Sequence, residues 1–513
     1  MTKAINKNIK HCIIAILLLI KLNAYSQQQL SLAKQQEDFS IFKTSLKEMH
    51  AGLNWFITTE RFDALYDSVY ASLKENSSTE DFYIKLRLCM ASLHHGHGGI
   101  DMTEKEAGIN YRMQLLPKSR KHLPFVLKYL NNRLYILNNC SSNPVISNGS
   151  EIISINGEPV RKITRQLMAY VFANGNNETY KYEMLDGYFN FHYFYQVLHP
   201  DLSSYKLSLI PFKSIRQITV SADAVLPQTI ADAYRKQTGK DIGKFGELVQ
   251  YKVLDKISNT AWLKLESFSK YRVENDSVKF NKLLEKIFTQ IKNDGIKNLI
   301  VDVRNNEGGD DTWQTAVSYF KGLGENKEAG LAYIQSDKMT QLKYVVRTNE
   351  NTQLLQAFEY NPYVLIDKTS DGRFKLKPEY TQHDSRAWPL KANAYKGKVY
   401  LLQNGLTFSA GFAFAGRMRS LFDKDSSFLK IIGEDYGDDL AAGVGSGGWS
   451  LDLVLPNSKI KVTIPITGGG TDKPYTMKPV KMLDYRVVPT IEDKIKGVDT
   501  EVEFVKQKII HLK

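Results

Sequence analysis

The sequence predicts an α/β protein in several parts: a helical N-terminal domain, a small β-rich module, and a larger α/β domain on a buried, mainly parallel sheet. Three observations predict it. Apolar residues recur at helical spacing through 36–95. Alternating β-type runs replace them between about 120 and 225, with Asn156-Gly157 as a hairpin signal. From 250 onward, continuous apolar runs alternate with amphipathic helices, the pattern of strands buried on both faces. At 513 residues the chain is too long for one ordinary core, so two or three domains are expected. A composition of 42% hydrophobic and 24% charged residues is that of a soluble globular protein.

The first elements concern targeting. Lys3, Lys7 and Lys10 precede an apolar run over 12–20, and Ala24-Tyr25-Ser26 offers a small-residue cleavage site. Residues 1–26 therefore read as a signal peptide, because the run is far short of the ~20 residues that span a bilayer. Gln27 rather than Cys follows, which argues against a lipid anchor. The expectation is an exported chain, periplasmic or extracellular, with no stable membrane insertion after cleavage; retention of the segment would leave it membrane-associated. The formal charge is +13, and removing a segment with four lysines and no acids leaves +9. These charges are dispersed, and no basic run alternates with aromatics, so no nucleic-acid groove is expected. Cys89 and Cys140 remain, which allow one disulfide and show no metal spacing.

Residues 27–115 carry three helical patterns: Phe39, Phe42, Leu46 and Met49; Phe62, Leu65, Val69 and Leu73; Phe82, Leu86, Met90 and Leu93. Ser78 or Thr79, before Glu80 and Asp81, caps the third. It stops at His94-His95-Gly96-His97-Gly98-Gly99. Adjacent residues rarely converge on one ion, and no carboxylate or Cys cluster completes a site, so no metal is expected. A general base on a glycine-rich loop is one reading and surface histidines after a helix the other.

Residues 116–225 form the β-rich module, with strands expected over 125–127, 134–137, 151–155 and 205–209 and a helix over 160–172. Residues 226–249, rich in Lys, Gln, Asp and Gly, read as a linker. In 250–513 the strands 261–265, 299–303, 398–402 and 428–432 alternate with helices over 278–291 and 312–320. No internal repeat or low-complexity tract interrupts the chain.

Three strand ends in this last domain bear polar chemistry. The run ending in Asn404-Gly405 leads to Ser409, which opens a helix with small residues Ala410, Gly411, Ala413, Ala415 and Gly416. A hydroxyl there meets converging backbone N–H groups, which suits a nucleophile; the same position also suits an ordinary N-cap. The strand through Asp302 continues as Arg304-Asn305-Asn306-Glu307-Gly308-Gly309. Two glycines let backbone N–H groups approach a reacting oxygen, or they make a tight turn with Asp302 and Arg304 paired internally. No Gly-Lys-Ser/Thr follows and the spacing fits no dinucleotide fingerprint, so no cofactor is implied. Glu434, Asp435, Asp438 and Asp439 follow the strand over 428–432 and can orient a base, cap a helix or face solvent.

In this order the segments resemble the S41 serine peptidases, the family of C-terminal processing (tail-specific) and tricorn-like proteases. LHHGHGGI is similar to the family's L-x-D-G-H-T element, and GSEIISINGEPV to the core of a PDZ-like module. LIVDVRNNEGG resembles its strand and glycine loop, and GLTFSAGFAFA its nucleophile segment. IIGEDYG, LVLPNSKIKVTIP and VVPTIEDKIKGVDTEVEFV resemble its C-terminal elements. The resemblance implies a ClpP/crotonase-like catalytic core and an exported serine peptidase acting on polypeptides. It assigns Ser409 as nucleophile, with the oxyanion held by Ala410 N–H and by Gly308 or Gly309, Gly309 being preferred. Processing members use a lysine in a G-K-G element, where this chain has Gly437-Asp438-Asp439. The tricorn-like branch uses the histidine of the helical domain, matched here by His97, so a Ser409–His97 pair is expected. That branch also uses a polar group beside the histidine and a C-terminal glutamate. Here Gly96 precedes His97, His95 stands where the family has Asp, and 477–484 offers no matching glutamate. Glu434 is the candidate orienting residue. These departures leave one alternative, a catalytically silent peptide- or ligand-binding protein on the same scaffold. A crotonase-like acyl-CoA enzyme is disfavoured, since export separates it from cytosolic CoA.

Overall fold

In a computed structural model, the described residues are 29–102, 116–243, 246–273, 277–323, 332–370, 374–380, 387–422, 427–438, 450–469 and 482–509. The predicted signal segment, 1–26, and Asp439 lie outside them. The chain divides into two compact units, and each draws on distant stretches of sequence.

The first unit combines the N-terminal helices with segments from 330–383 and 442–475. Its helices are Leu32–Met49, Thr59–Ala71 and Thr79–Ala91. The periodic positions Phe39, Phe42, Leu46, Met49, Phe62, Val69, Phe82, Leu86 and Met90 are all buried. Tyr66 joins them, stacked on Phe62 with ring centroids 3.9 Å apart. Ser78 caps the third helix in a reciprocal capping box with Asp81. The strand Gly99–Asp101 pairs antiparallel with Lys461–Pro465, which pairs in turn with Ser450–Val454. Both Asp38 carboxylate oxygens accept backbone N–H groups of this sheet's turn, from Asn457 at 3.0 Å and Ser458 at 2.7 Å.

The second unit holds the β-rich module and the large sheet. The module is an antiparallel sheet of Phe125–Leu130, Arg133–Asn139, Glu151–Ile155, Ser204–Ile210 and Ile218–Asp223 in that order. Asn156 and Gly157 take φ of 52° and 84° in the predicted hairpin, and Val160–Met168 is the predicted helix. Residues 226–249, which composition marks as a linker, carry a helix, Pro227–Thr238. Proline sits in its first turn, Gly239 ends it at φ 69°, and Ile230 is fully buried.

The large sheet orders β1 (Val249–Asp255), β2 (Thr260–Leu265), β3 (Asn298–Asp302), β4 (Lys398–Gln403), β5 (Leu429–Gly433) and β6 (Tyr485–Arg486). Only the β1–β2 pair is antiparallel. Helices α1 (Ser277–Asn293), α2 (Thr312–Ser318) and α3 (Ala410–Phe422) connect the strands. Phe280, Leu284, Val317, Phe414 and Met418 from these helices pack on Leu299, Val301, Val399, Leu401 and Ile431. The alternate positions Ile300, Tyr400, Leu402 and Ile432 meet Val487, Val502 and Val505 on the other face. Burial on both faces is why these strands read as unbroken apolar runs.

Cys89 and Cys140 are both buried and neither is in a disulfide. Burial pushes the Cys140 thiol up to about 11, so it is not thiolate near neutrality. Among the described residues no helix is long and apolar enough to cross a membrane.

Candidate active site

Adjacent parallel strands β3, β4 and β5 end at one edge of the sheet, and the three polar loops leave from there. Such strand ends are where open α/β sheets bind ligands. Ser409 directly precedes α3 and has φ of +52°. An ordinary N-cap residue keeps an extended backbone. The left-handed form costs a non-glycine residue roughly 1–2 kcal/mol, so surrounding bonds must hold it. It is the conformation of a strand-to-helix elbow that pushes a hydroxyl outward.

Those bonds are present. Asn305 N–H donates to Asn404 Oδ1 at 2.8 Å, and Asn404 Nδ2 returns a bond to Asn305 Oδ1 at 2.9 Å. Thr407 Oγ1 donates to Val303 O at 2.9 Å, and Phe408 N–H to Asn306 O at 3.0 Å. The loops after β3 and β4 are thereby stitched together. Ser409's own N–H donates to Asp438 Oδ2 at 2.9 Å, and its carbonyl accepts Ala413 N–H at 2.8 Å.

The glycine loop lies against this elbow. Gly308 has φ of +100°, and a Cβ there would stand 2.7 Å from Ala410 N and 2.8 Å from Ser409 Cβ. Gly309 has φ of +143°, and a Cβ there would overlap the backbone of Phe268 and Ser269. Gly308 N–H is committed to Asn306 Oδ1 at 2.9 Å, and its carbonyl accepts Phe268 N–H at 2.8 Å. The N–H groups of Gly309 and Ala410 make no hydrogen bond among the described residues. Of the donors the sequence nominates, these two are open and Gly308 is not.

The alternative reading of Asp302 and Arg304 holds as well. Arg304 Nε and Nη2 donate to Asp302 at 3.0 and 2.7 Å, and Arg304 also reaches Asp499 and Glu501. Trp262 Nε1 adds a bond at 3.1 Å. Burial pushes the Asp302 carboxyl up, but Arg304 and Lys264 outweigh it and hold the group well below the usual carboxylate range. The pair fixes the root of the loop whose tip carries the glycines.

The acids after β5 divide. Asp438 is only 7% exposed; its Oδ2 takes Ser409 N–H and its Oδ1 takes Asn174 Nδ2 at 2.5 Å. Glu434 is half-buried and lines a cleft of about 400 Å³ with Lys128, Glu183, Asp302, Arg304 and Glu501, a cleft that Ser409 does not line. Burial and the neighbouring Glu183 push its carboxyl up. Sequence reasoning missed Asn174, Asn306 and the use of Asp438 as an acceptor. Asn306 has a local signal, since an asparagine two residues before a glycine is a turn former; Asn174 has none.

His97 belongs to the first unit, in the turn between Thr79–Ala91 and Gly99–Asp101. It is half-buried, with its ring centroid 5.7 Å from that of His95. His95 is no surface residue: it is 2% exposed, with Nδ1 3.0 Å from His50 Nε2. Burial pushes His50 down to about 4, so it is neutral near pH 7 and one ring of the pair donates to the other. His94 takes φ of +54° and stacks on Phe56.

The peptidase family S41 model matches residues 259–464, and a PDZ domain model matches residues 119–196. No curated protein matches the chain. Among solved structures, mature CPAF is similar over 94% of this chain and 97% of its own, with 18% identity and a TM-score of 0.57. Mature CPAF complexed with lactacystin is similar over 94% and 98%, with 16% identity and a TM-score of 0.57. The photosystem II D1 C-terminal processing protease is similar over 91% and 98%, with 12% identity and a TM-score of 0.37. At these identities the CPAF likeness concerns the fold.

Proposed function

We propose that this chain, which belongs to peptidase family S41 and is a serine-type peptidase, works through Ser409 as nucleophile, His97 as general base and the N–H groups of Gly309 and Ala410 as oxyanion hole. The observation that carries the reading is the left-handed Ser409 beside a backbone N–H, that of Ala410, and a glycine loop whose Gly309 N–H is also uncommitted.

The chemistry follows from these groups. Ser409 Oγ attacks the peptide carbonyl carbon and passes its proton to His97. The carbonyl oxygen becomes an oxyanion facing two neutral donors at the positive end of α3. Each such donor typically contributes about 3 kcal/mol in the transition state. His97 then gives the proton to the leaving amine, and water repeats the sequence on the acyl-enzyme. Substrates are polypeptides, and an extended segment docks by adding a strand beside the PDZ domain or the sheet. The signal-like segment 1–26 supports export to the periplasm or beyond.

Hydrolysis of a quenched fluorescent peptide library tests the assignment. Ser409→Ala and His97→Ala are each expected to lower kcat by at least about 10³-fold, because nucleophile and base act as a unit. Unchanged turnover in His97→Ala removes it as the base; unchanged turnover in Ser409→Ala removes the whole scheme.

A further inference from the structure

We propose that Asp438 is the positioning residue of the nucleophile, holding Ser409 in its left-handed conformation through the Ser409 N–H while Asn174 of the β-rich module holds Asp438. The inference rests on Ser409 being the nucleophile.

The first N–H groups of any helix find no acceptor in the helical ladder, so the Ser409 N–H, in a half-buried turn, needs an acceptor from outside it, and one placed to suit the left-handed backbone favours that conformation. Asp438 supplies the acceptor at 2.9 Å. A carboxylate is the strongest acceptor available for a backbone N–H, and at 7% exposure little water competes for it. A carboxylate on a mobile loop would not fix anything, so the loop itself must be fixed. Its second oxygen takes Asn174 Nδ2 at 2.5 Å, and Asn174 is only 1% exposed. Asn177 Nδ2 donates to Tyr436 O at 2.7 Å and to Asp438 O at 3.1 Å. Gly437 N–H donates to Thr407 O at 3.0 Å, and a Cβ at Gly437 would overlap Gly405 O. The loop after β5 is thus pressed on the elbow after β4 and pinned from the other side by the β-rich module.

Two consequences follow. The Ser409 N–H is taken, so the oxyanion falls to Ala410 and Gly309. The side-chain path Asn174–Asp438–Ser409 also makes the geometry of the nucleophile depend on the β-rich module, which a peptidase domain cut out alone would lack.

The test measures fluorophosphonate labelling rates, and kcat and KM on a peptide, in the full chain. Asp438→Ala is expected to lower kcat and the labelling rate by about 10–100-fold, the size of a lost hydrogen bond to a charged group, with KM held within about 2-fold. Asn174→Ala moves the same quantities in the same direction by less. Asp438→Asn keeps an oxygen for the Ser409 N–H, and a flipped Asn174 amide offers its own oxygen to the new Nδ2, so this variant should keep most of the rate. Should Asp438→Ala fail to fold, the comparison of Asp438→Asn with Asn174→Ala decides, the first expected faster than the second. Labelling of Asp438→Ala or of Asn174→Ala at the wild-type rate overturns the inference while leaving the nucleophile intact. A folded wild type that stays unlabelled beside a labelled control hydrolase removes the nucleophile, and the positioning role with it.

Discussion

Gly309 shows how little freedom the candidate site has. At φ of +143° a methyl group would overlap the backbone of Phe268 and Ser269, and neither can move without shifting β2 or the loop itself. Gly309→Ala is expected to displace the open N–H and lower kcat/KM by at least about 100-fold, the typical cost of one oxyanion donor. Gly157→Ala is the control: φ is +84°, nothing lies within 4 Å of the added methyl, and the cost is about 1 kcal/mol of stability with kinetics unchanged. Wild-type kinetics in Gly309→Ala would show that its N–H does not face the reacting oxygen. Ser409 and the two glycines were nominated by a local pattern, strand ends followed by small residues, which suits a cap or a turn as well, and by the order of segments that resembles family S41. Asp438 and Asn174 lie 264 positions apart, and no local pattern reports a side-chain bond across that distance.

At the scale of elements, β3 ends in a charge network. Asp302 is 2% exposed and receives Arg304, Trp262 and Lys264, while Arg304 also ties in Asp499 and Glu501 ahead of and within the Thr500–Phe504 helix. Arg304→Ala leaves buried carboxylates without their main counter-charge, and a loss of about 3–5 kcal/mol is expected in urea denaturation. A loss below about 1 kcal/mol would mean that Lys264 alone suffices. The four inner strands β2 to β5 were readable from their apolar runs; the outer β1 and β6, whose residues are mixed or few, were not. The helix Pro227–Thr238 was not, because it buries little beyond Pro227 and Ile230 and its polar composition imitates a linker. Nor was the pairing of Gly99–Asp101 with Lys461–Pro465, since strand pairing at long range leaves no mark on either segment.

At the scale of the whole molecule, both units carry histidines that fold neutral. Burial pushes His50 and His122 down to about 4 and His192 to about 3. The unfolded chain binds these protons near pH 6.5 and the folded chain does not, so their contribution is fully present above about 6.5 and is lost as pH falls toward about 4. Each contributes on the order of 3 kcal/mol across that window. Urea midpoints are therefore expected to be flat from pH 8 to 7 and to fall steeply between about pH 6 and 4. His192→Gln should flatten the slope; an unchanged slope would place the acid sensitivity elsewhere. The two-unit division was not readable as such, because the first unit draws its strands from within the stretch that reads as one α/β domain.

The most direct measurement is the site of covalent modification. The full chain is treated with a fluorophosphonate, digested and mapped by mass spectrometry. A single adduct on Ser409, absent from Ser409→Ala and strongly reduced in His97→Ala, is the expected result. No adduct under conditions that label a control serine hydrolase, or an adduct that persists in Ser409→Ala, would contradict Ser409 as the nucleophile.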